Sequence, residues 1–301
     1  MKRLLIPVVV LALAAVLGVL GWQWSALGYA VPVRVAQQYP LHAADGAVLG
    51  RYRVPADTAI VQQPNAEQIL YGKRLLNETA RLLPDNVGSG LNCNSCHMAQ
   101  GRLRYGANYF NTAQRYPRVM PRAGREVDLA GRINGCFQRS MNGTPLPVDS
   151  EEMAAMQAYY RWLAPAQAGV VQAPGEAAFD TALVGNAQRG QVVYAGQCAS
   201  CHGDQGQGMK DQFGDYIFPP LWGPDSFNIG AGMARVYKAA TFVQHNMPMG
   251  TGLHVPLGQG GVLSAQEAVD VAQFFTHQPR PDFAGKDGDW PHGNKPVDAR
   301  Y

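Results

Sequence analysis

The sequence predicts an all-α chain made of two small domains in tandem. Three observations carry this. A Cys-x-x-Cys-His motif occurs twice, at Cys93, Cys96 and His97 and again at Cys198, Cys201 and His202. A helix-type apolar pattern precedes and follows each motif, and no segment shows the sustained alternation of a strand. Between the halves, residues 164–178 are rich in Ala, Pro, Gly and Gln, the composition of a linker. Each half therefore reads as helix, motif, long irregular loop, helix. That is a duplication in architecture, not in close sequence.

The length of 301 residues suits two ordinary domains. With 47% hydrophobic and 16% charged residues, the composition is globular and not disordered. A formal net charge of +3 is too weak to imply a nucleic-acid partner.

In chain order, residues 1–24 read as a targeting segment. Lys2 and Arg3 precede an apolar run from Leu4 to about Trp22. A cleaved signal peptide has a shorter apolar core, about 7–15 residues. Trp22 and Trp24 stand where an interfacial aromatic belt would. An inner-membrane anchor is therefore favoured over a signal peptide cleaved near Gly28-Tyr29-Ala30. Both readings place the rest of the chain in the periplasm. Residues 25–60 are mixed and Pro-containing, and read as a tether with some packed structure.

The first domain is expected over residues 61–165. A helix follows Pro64, with Asn65 and Gln68 spaced as a capping box and Ile69, Leu75, Leu76, Leu82 and Leu83 on roughly one face. A second helix signal starts at Asp149, with Glu152 three residues on, then Met153, Met156, Tyr160 and Leu163. Residues 166–184 form the expected linker and residues 185–285 the second domain. There Asn186 opens a helix over 187–197, leading into the second motif. Ser264 and Glu267 make a capping box for a last helix carrying Ala268, Val271, Ala272 and Phe275. Residues 286–301 close an irregular but ordered tail over the surface.

The motif chemistry is that of covalent haem attachment: two thiols form thioethers with the vinyl groups and the adjacent His takes an axial iron position. Zinc needs further Cys or His at short spacing, and a redox Cys-x-x-Cys needs no following His. Each half is therefore expected to be a cytochrome c-like domain holding one haem c, two in all. Attachment outside the cytoplasm agrees with export, and four propionates would turn the net charge negative.

Each iron then needs a sixth ligand. In the second half the loop before the last helix offers His245, Met247, Met249 and His254. Met247, 45 residues after His202 and followed by Pro248, is the favoured ligand. The equivalent loop of the first half has no histidine; its candidates are Met120, Cys136 and Met141. Cys136 lies 39 residues after His97, close to the offset of Met247 in its own half. A lone Cys is often a small buried hydrophobe. A free thiol in an oxidising compartment is a liability, however, and Arg132 and Arg139 nearby favour the thiolate that binds metal and attacks sulfur. The expected pairs are His97/Cys136 and His202/Met247. Thiolate lowers a haem potential and Met raises it, so the first haem would face substrate and the second pass electrons outward.

Between Gly101 and Ser140 stand eight arginines, Arg102, Arg104, Arg115, Arg118, Arg122, Arg125, Arg132 and Arg139, against two acids, Glu126 and Asp128. Arginine presents a planar fork suited to oxyanions. About half of these are expected to meet propionates or solvent. The surplus predicts a small polyanionic substrate, which the field would steer inward.

Together these features resemble the dihaem thiosulfate dehydrogenases, enzymes that can also run as tetrathionate reductases. The resemblance runs from about Asn65 onward and is carried by YGKRLLNET, LNCNSCHM, GRINGCFQRSMNG, NMPMG and DWPHGNKPVDARY. It implies two cytochrome c-like domains, coupling of two thiosulfate to tetrathionate with release of two electrons, and an acceptor cytochrome, soluble or membrane-bound. It implies Cys136 as ligand to the first haem, Arg122 and Arg132 as sulfonate holders, and Ser140 and Arg139 close by. Some members place Lys just before the distal Met of the second haem; Asn246 departs from this. Two other readings predict different behaviour. A pure dihaem electron carrier would need no substrate pocket and would not be reduced by thiosulfate. A dihaem peroxidase would need an open distal side, whereas both halves offer a ligand.

Overall fold

The computed structural model describes residues 37–172, 180–249 and 260–301. The targeting segment, the start of the expected tether and His254 lie outside the described residues. Among the described residues, no helix is long and apolar enough to cross a membrane.

Helices dominate both halves, in corresponding positions. In the first, α1 (Ala66–Asn77), α2 (Leu129–Arg139) and α3 (Glu151–Leu163) enclose the first motif. In the second, α4 (Ala187–Gln197), α5 (Val236–Asn246) and α6 (Ala265–Thr276) enclose the other. The opening and closing helices of each half cross through a glycine. A Cβ on Gly72 of α1 would lie 2.0 Å from the Ala155 carbonyl oxygen of α3, and one on Gly190 of α4 would lie 1.9 Å from that of Asp270 in α6. Only glycine lets the backbones approach this closely, so the duplication extends to the crossings themselves.

Local signals placed most ends correctly. Asn186 accepts from the Arg189 amide at the start of α4, and the Ser264–Glu267 capping box forms on both sides. The α1 start departs from expectation: Asn65 makes no side-chain cap and donates to the Gln68 Oε1 at 3.3 Å. The α3 cap is Ser150, one residue after Asp149, and accepts from the Met153 amide.

The chain is not purely helical. Its short strands are β1 (Gln38–His42), β2 (Val48–Arg53), β3 (Arg118–Met120), β4 (Arg125–Val127), β5 (Val170–Val171), β6 (Met209–Lys210) and β7 (Tyr216–Phe218). They pair antiparallel as β2-β1-β5, β3-β4 and β6-β7. The described part of the expected tether, residues 37–60, has packed structure and joins the first domain. Tyr39, Leu41, Tyr52 and Ile60 are buried in its core, and the rings of Tyr39 and Tyr52 each lie 5.3 Å from that of Phe110. The start of the expected linker belongs to the same sheet, since Val170 and Val171 pair with His42 and Leu41.

The tail is irregular, as expected, but it does more than cover the surface. It runs back to the first domain, where the Trp290 amide donates to the Arg122 carbonyl at 2.8 Å and Trp290 is buried.

Asp270, 2% exposed, anchors the α4–α6 crossing. It accepts from Arg189 Nε at 2.6 Å and Nη2 at 2.9 Å, and from the Asn186 amide and Gln266. Burial alone would raise its pKa; the bonds from Arg189, Asn186 and Gln266 outweigh this and hold it below the usual carboxylate value. The carboxylate stabilises the fold above the ordinary Asp pKa of about 3.9, and that stability is lost as pH falls through the depressed native value. Asp270→Asn is expected to cost about 2 kcal/mol, modest for a buried acid because Arg189 stays largely in water. The loss should appear in urea unfolding at pH 7 and shrink in acid.

Candidate active site

Cys136 lies on α2, not in the irregular loop expected there. Asp128 caps this helix by accepting from the Gly131 amide at 2.7 Å. Leu129, Ile133 and Phe137 recur every four residues and are buried. Arg132, Cys136 and Ser140 follow the same spacing on an adjacent stripe. Arg132 Nη1 accordingly donates to Cys136 Sγ at 2.7 Å.

Cys136 and Ser140 line one cavity with Cys93, Cys96, His97, Tyr109 and Tyr160. The sites predicted on separate stretches of sequence thus meet: both motif thiols, the motif His, the lone thiol and the serine. Met141, an alternative ligand, is also at the wall, whereas Met120 lies on β3 and accepts from the Tyr116 hydroxyl. Spacing marked Tyr160 only as a core residue of its helix and gave no signal for Tyr109; their rings pack 4.3 Å apart, and Tyr109 also stacks on His97 at 4.3 Å.

Three of the motif thiols and Cys136 are opposite in charge preference. Burial pushes Cys93 and Cys96 up to about 12 and Cys198 to about 11, so they stay neutral thiols. Burial would raise Cys136 as well. The Arg132 charge, a hydrogen bond and charge from His97, and the Arg132 hydrogen bond outweigh it and bring Cys136 down to about 6. At neutral pH the cavity therefore holds one thiolate among thiols.

The two motif histidines are oriented alike. His97 Nδ1 lies 2.6 Å from the Ala107 carbonyl and His202 Nδ1 lies 2.8 Å from that of Pro219. A carbonyl only accepts, so Nδ1 carries a proton in both rings, and Nε2 is the nitrogen turned towards where a metal would be held. Ala99 and Gln100, at φ 52 and 53, hold the left-handed turn that follows the first motif. Paired thiols beside a histidine oriented in this way fit covalent haem c, with Cys93 and Cys96 or Cys198 and Cys201 as the attachment points.

Arg122 and Arg139 are not at the cavity wall. Arg139 makes a bidentate pair with Asp289 of the tail, at 2.8 and 2.7 Å, and lies 4.1 Å over the Phe283 ring. Arg122 donates to the Gly230 carbonyl, stacks 4.5 Å over Trp290 and has Asp289 at 3.7 Å. Both arginines join the tail and second domain to the first. Of the arginine field, Arg132 is the one shown bonded to the thiol; Arg102 is paired with Asp57.

In the second half, Met247 directly follows α5 and packs against the core. Asn246 before it is fully buried, and its Nδ2 donates to the Tyr105 carbonyl of the first domain at 2.9 Å. His245 stacks on Tyr105 at 4.7 Å and bonds the Thr241 carbonyl through Nδ1. The turn carrying Met247 thus rests on the loop that follows the first motif.

Known families match both halves. Residues 85–164 match the SoxA/TsdA cytochrome c domain, and residues 185–275 match the cytochrome c oxidase cbb3-type subunit III family. The chain is 42% identical over 250 residues to a thiosulfate dehydrogenase of Psychrobacter arcticus, covering 82% of this chain and 74% of that one. It is 38% identical over 242 residues to a thiosulfate dehydrogenase of Allochromatium vinosum, covering 78% and 87%. Among solved structures, the thiosulfate dehydrogenase TsdBA from Marichromatium purpuratum, as isolated, superposes with a TM-score of 0.67 at 32% identity. That match covers 75% of this chain and 49% of TsdBA, so this chain spans about half its length. Two cytochrome c domains, one with a lone thiol in the same cavity as its motif histidine, define a c-type cytochrome. The chain belongs to the thiosulfate dehydrogenase family.

Proposed function

We propose that this enzyme oxidises thiosulfate at the Cys136 cavity, coupling two molecules to tetrathionate, in the periplasm. The observation that carries the reading is the 2.7 Å contact of Arg132 with Cys136 Sγ, the thiol that lines one cavity with Cys93, Cys96 and His97. Haem c on each domain, with His97/Cys136 and His202/Met247 as axial pairs, would accept one electron apiece.

The chain's own residues supply the rest. Arg132 keeps Cys136 ionised, and among the described residues one of its five guanidinium N–H groups is bonded to the thiol. The others can hold a sulfonate oxygen, with the Ser140 hydroxyl one turn further along α2 at the cavity wall. Of the two arginines expected to hold sulfonates, Arg132 keeps that role here, whereas Arg122, like its neighbour Arg139, faces Asp289 and is assigned to the field and to holding the tail. In the first step the Cys136 thiolate and the outer sulfur of thiosulfate form an S–S bond, giving Cys–S–S–SO₃⁻ and releasing two electrons. In the second step another thiosulfate attacks the outer sulfur of that adduct. Tetrathionate forms and the Cys136 thiolate leaves, as in thiol–disulfide exchange. Run backwards, the same steps reduce tetrathionate. The electrons leave through the second domain to an acceptor cytochrome.

The test is stoichiometry. With an artificial one-electron acceptor, two thiosulfate should be consumed and two acceptors reduced for each tetrathionate formed. Sulfite or sulfate as the product would overturn the coupling.

A further inference from the structure

Other half-buried arginines of this fold have an acid. Arg139 has Asp289 and Arg235 has Asp298. Arg280 and Arg300 have none among the described residues. Arg280 leaves the end of α6 with its guanidinium 4.3 Å over the Phe227 ring, donating to the Phe275 carbonyl at 2.6 Å and reaching the Phe227 carbonyl at 3.5 Å. Its Nε is buried without a partner, and so is Nη1 of Arg300. The two charges repel: burial, then the Arg300 charge, pull Arg280 down to about 9. Asp298, the acid next in sequence to Arg300, is already used. Its Oδ1 takes Arg235 Nε and its Oδ2 takes the Tyr237 amide.

Two half-buried guanidinium groups, each with a buried donor unspent, call for an anion, because an uncompensated charge taken out of water is costly. Planar forks of this kind match carboxylates. The location narrows the choice. Phe227 belongs to the segment that begins at Pro219, whose carbonyl orients His202. Residues 279–281 are laced to that segment by Gly223 N to Pro279 O and Ile229 N to Pro281 O. The arginine pair is therefore fastened to the loop that positions the second motif histidine.

We propose that Arg280 and Arg300 form a carboxylate-binding site that takes the propionates of the haem attached at Cys198 and Cys201. The assignment rests on the reading of one haem per domain. Neutralising a propionate removes negative charge that would stabilise ferric iron, so the pair raises the potential of the second haem and adds to the pull exerted by Met247.

The test uses the full-length holoprotein with Arg280→Gln, Arg300→Gln and, as a conservative control, Arg280→Lys. Redox titration should show the second haem shifted to lower potential in both Gln variants. Its potential should gain a pH-dependent step as the freed propionate titrates near neutrality. Arg280→Lys should restore most of the shift, and the first haem's spectrum should stay unchanged as a check on folding. An unmoved second potential with a several-fold higher KM for thiosulfate would mean that the pair holds a free oxyanion, and the proposal falls. An unmoved potential with unmoved KM overturns it as well. Haem content separates this from the underlying reading: two haems per chain with unmoved potentials condemns only the arginine assignment, whereas one haem per chain overturns both.

Discussion

Replacing Cys136 with glycine is expected to abolish thiosulfate oxidation, by roughly three orders of magnitude or more, the scale on which loss of a covalent nucleophile is felt. The reason is local. Cys136 is the one cysteine of five outside the two motifs, and the one whose thiol is driven towards ionisation. The substitution should leave both haems attached, because Cys93, Cys96, Cys198 and Cys201 are untouched. The measurement is steady-state thiosulfate oxidation with an artificial acceptor, alongside haem content and the optical spectrum. A variant that keeps both haems and full activity would remove Cys136 from the chemistry. A His/Met spectrum for the first haem in the wild type would remove it from the iron.

The second large effect is expected of Arg132→Met, which keeps the length of the side chain and deletes the charge. Its consequence lies in pH as much as in rate. In the native protein the Cys136 thiolate forms above about pH 6. Without Arg132, burial prevails and the thiol returns towards or beyond its ordinary value of about 8.5. Less thiolate is then present at any given pH, so the acidic limb of the rate profile should move up by at least about two pH units. At pH 7 the rate should drop by roughly a hundredfold, comparable to loss of one donor from a preorganised anion site. Raising the pH should recover part of it, which a merely misfolded variant would not do. An unshifted limb would mean that another group sets the thiolate.

What the sequence disclosed and what it hid divide along the range of the interactions. The Ser264–Glu267 capping box and the Asn186 cap are legible because each is complete within four residues. The helix around Cys136 is hidden by its composition: Gly131, Asn134 and Gly135 are poor helix formers. It is held by tertiary contacts instead. The Asn134 side chain both accepts from the Leu146 amide and donates to its carbonyl, at 2.9 Å each, and Ile133 and Phe137 are buried. The Arg132, Cys136 and Ser140 spacing was the available clue. The sheet was hidden because β1 finds β5 about 130 residues away and β5 has only two residues. The fate of Arg139 was equally invisible, since its acid is Asp289, 150 residues further on. Counting charges in a window finds a field, but it does not say which members are already neutralised from elsewhere.

The tail that supplies Asp289 also acts as a double latch. Residues 289–301 fasten Arg139 and Arg122 in the first half and, through Asp298, the start of α5 in the second. None of these partners lies in either Cys-x-x-Cys-His motif, so the latches and the motif thiols are separate sets of residues. A single proteolytic cut ahead of Asp289 would release both latches at once, leaving the covalent chemistry in place and the frame around it open.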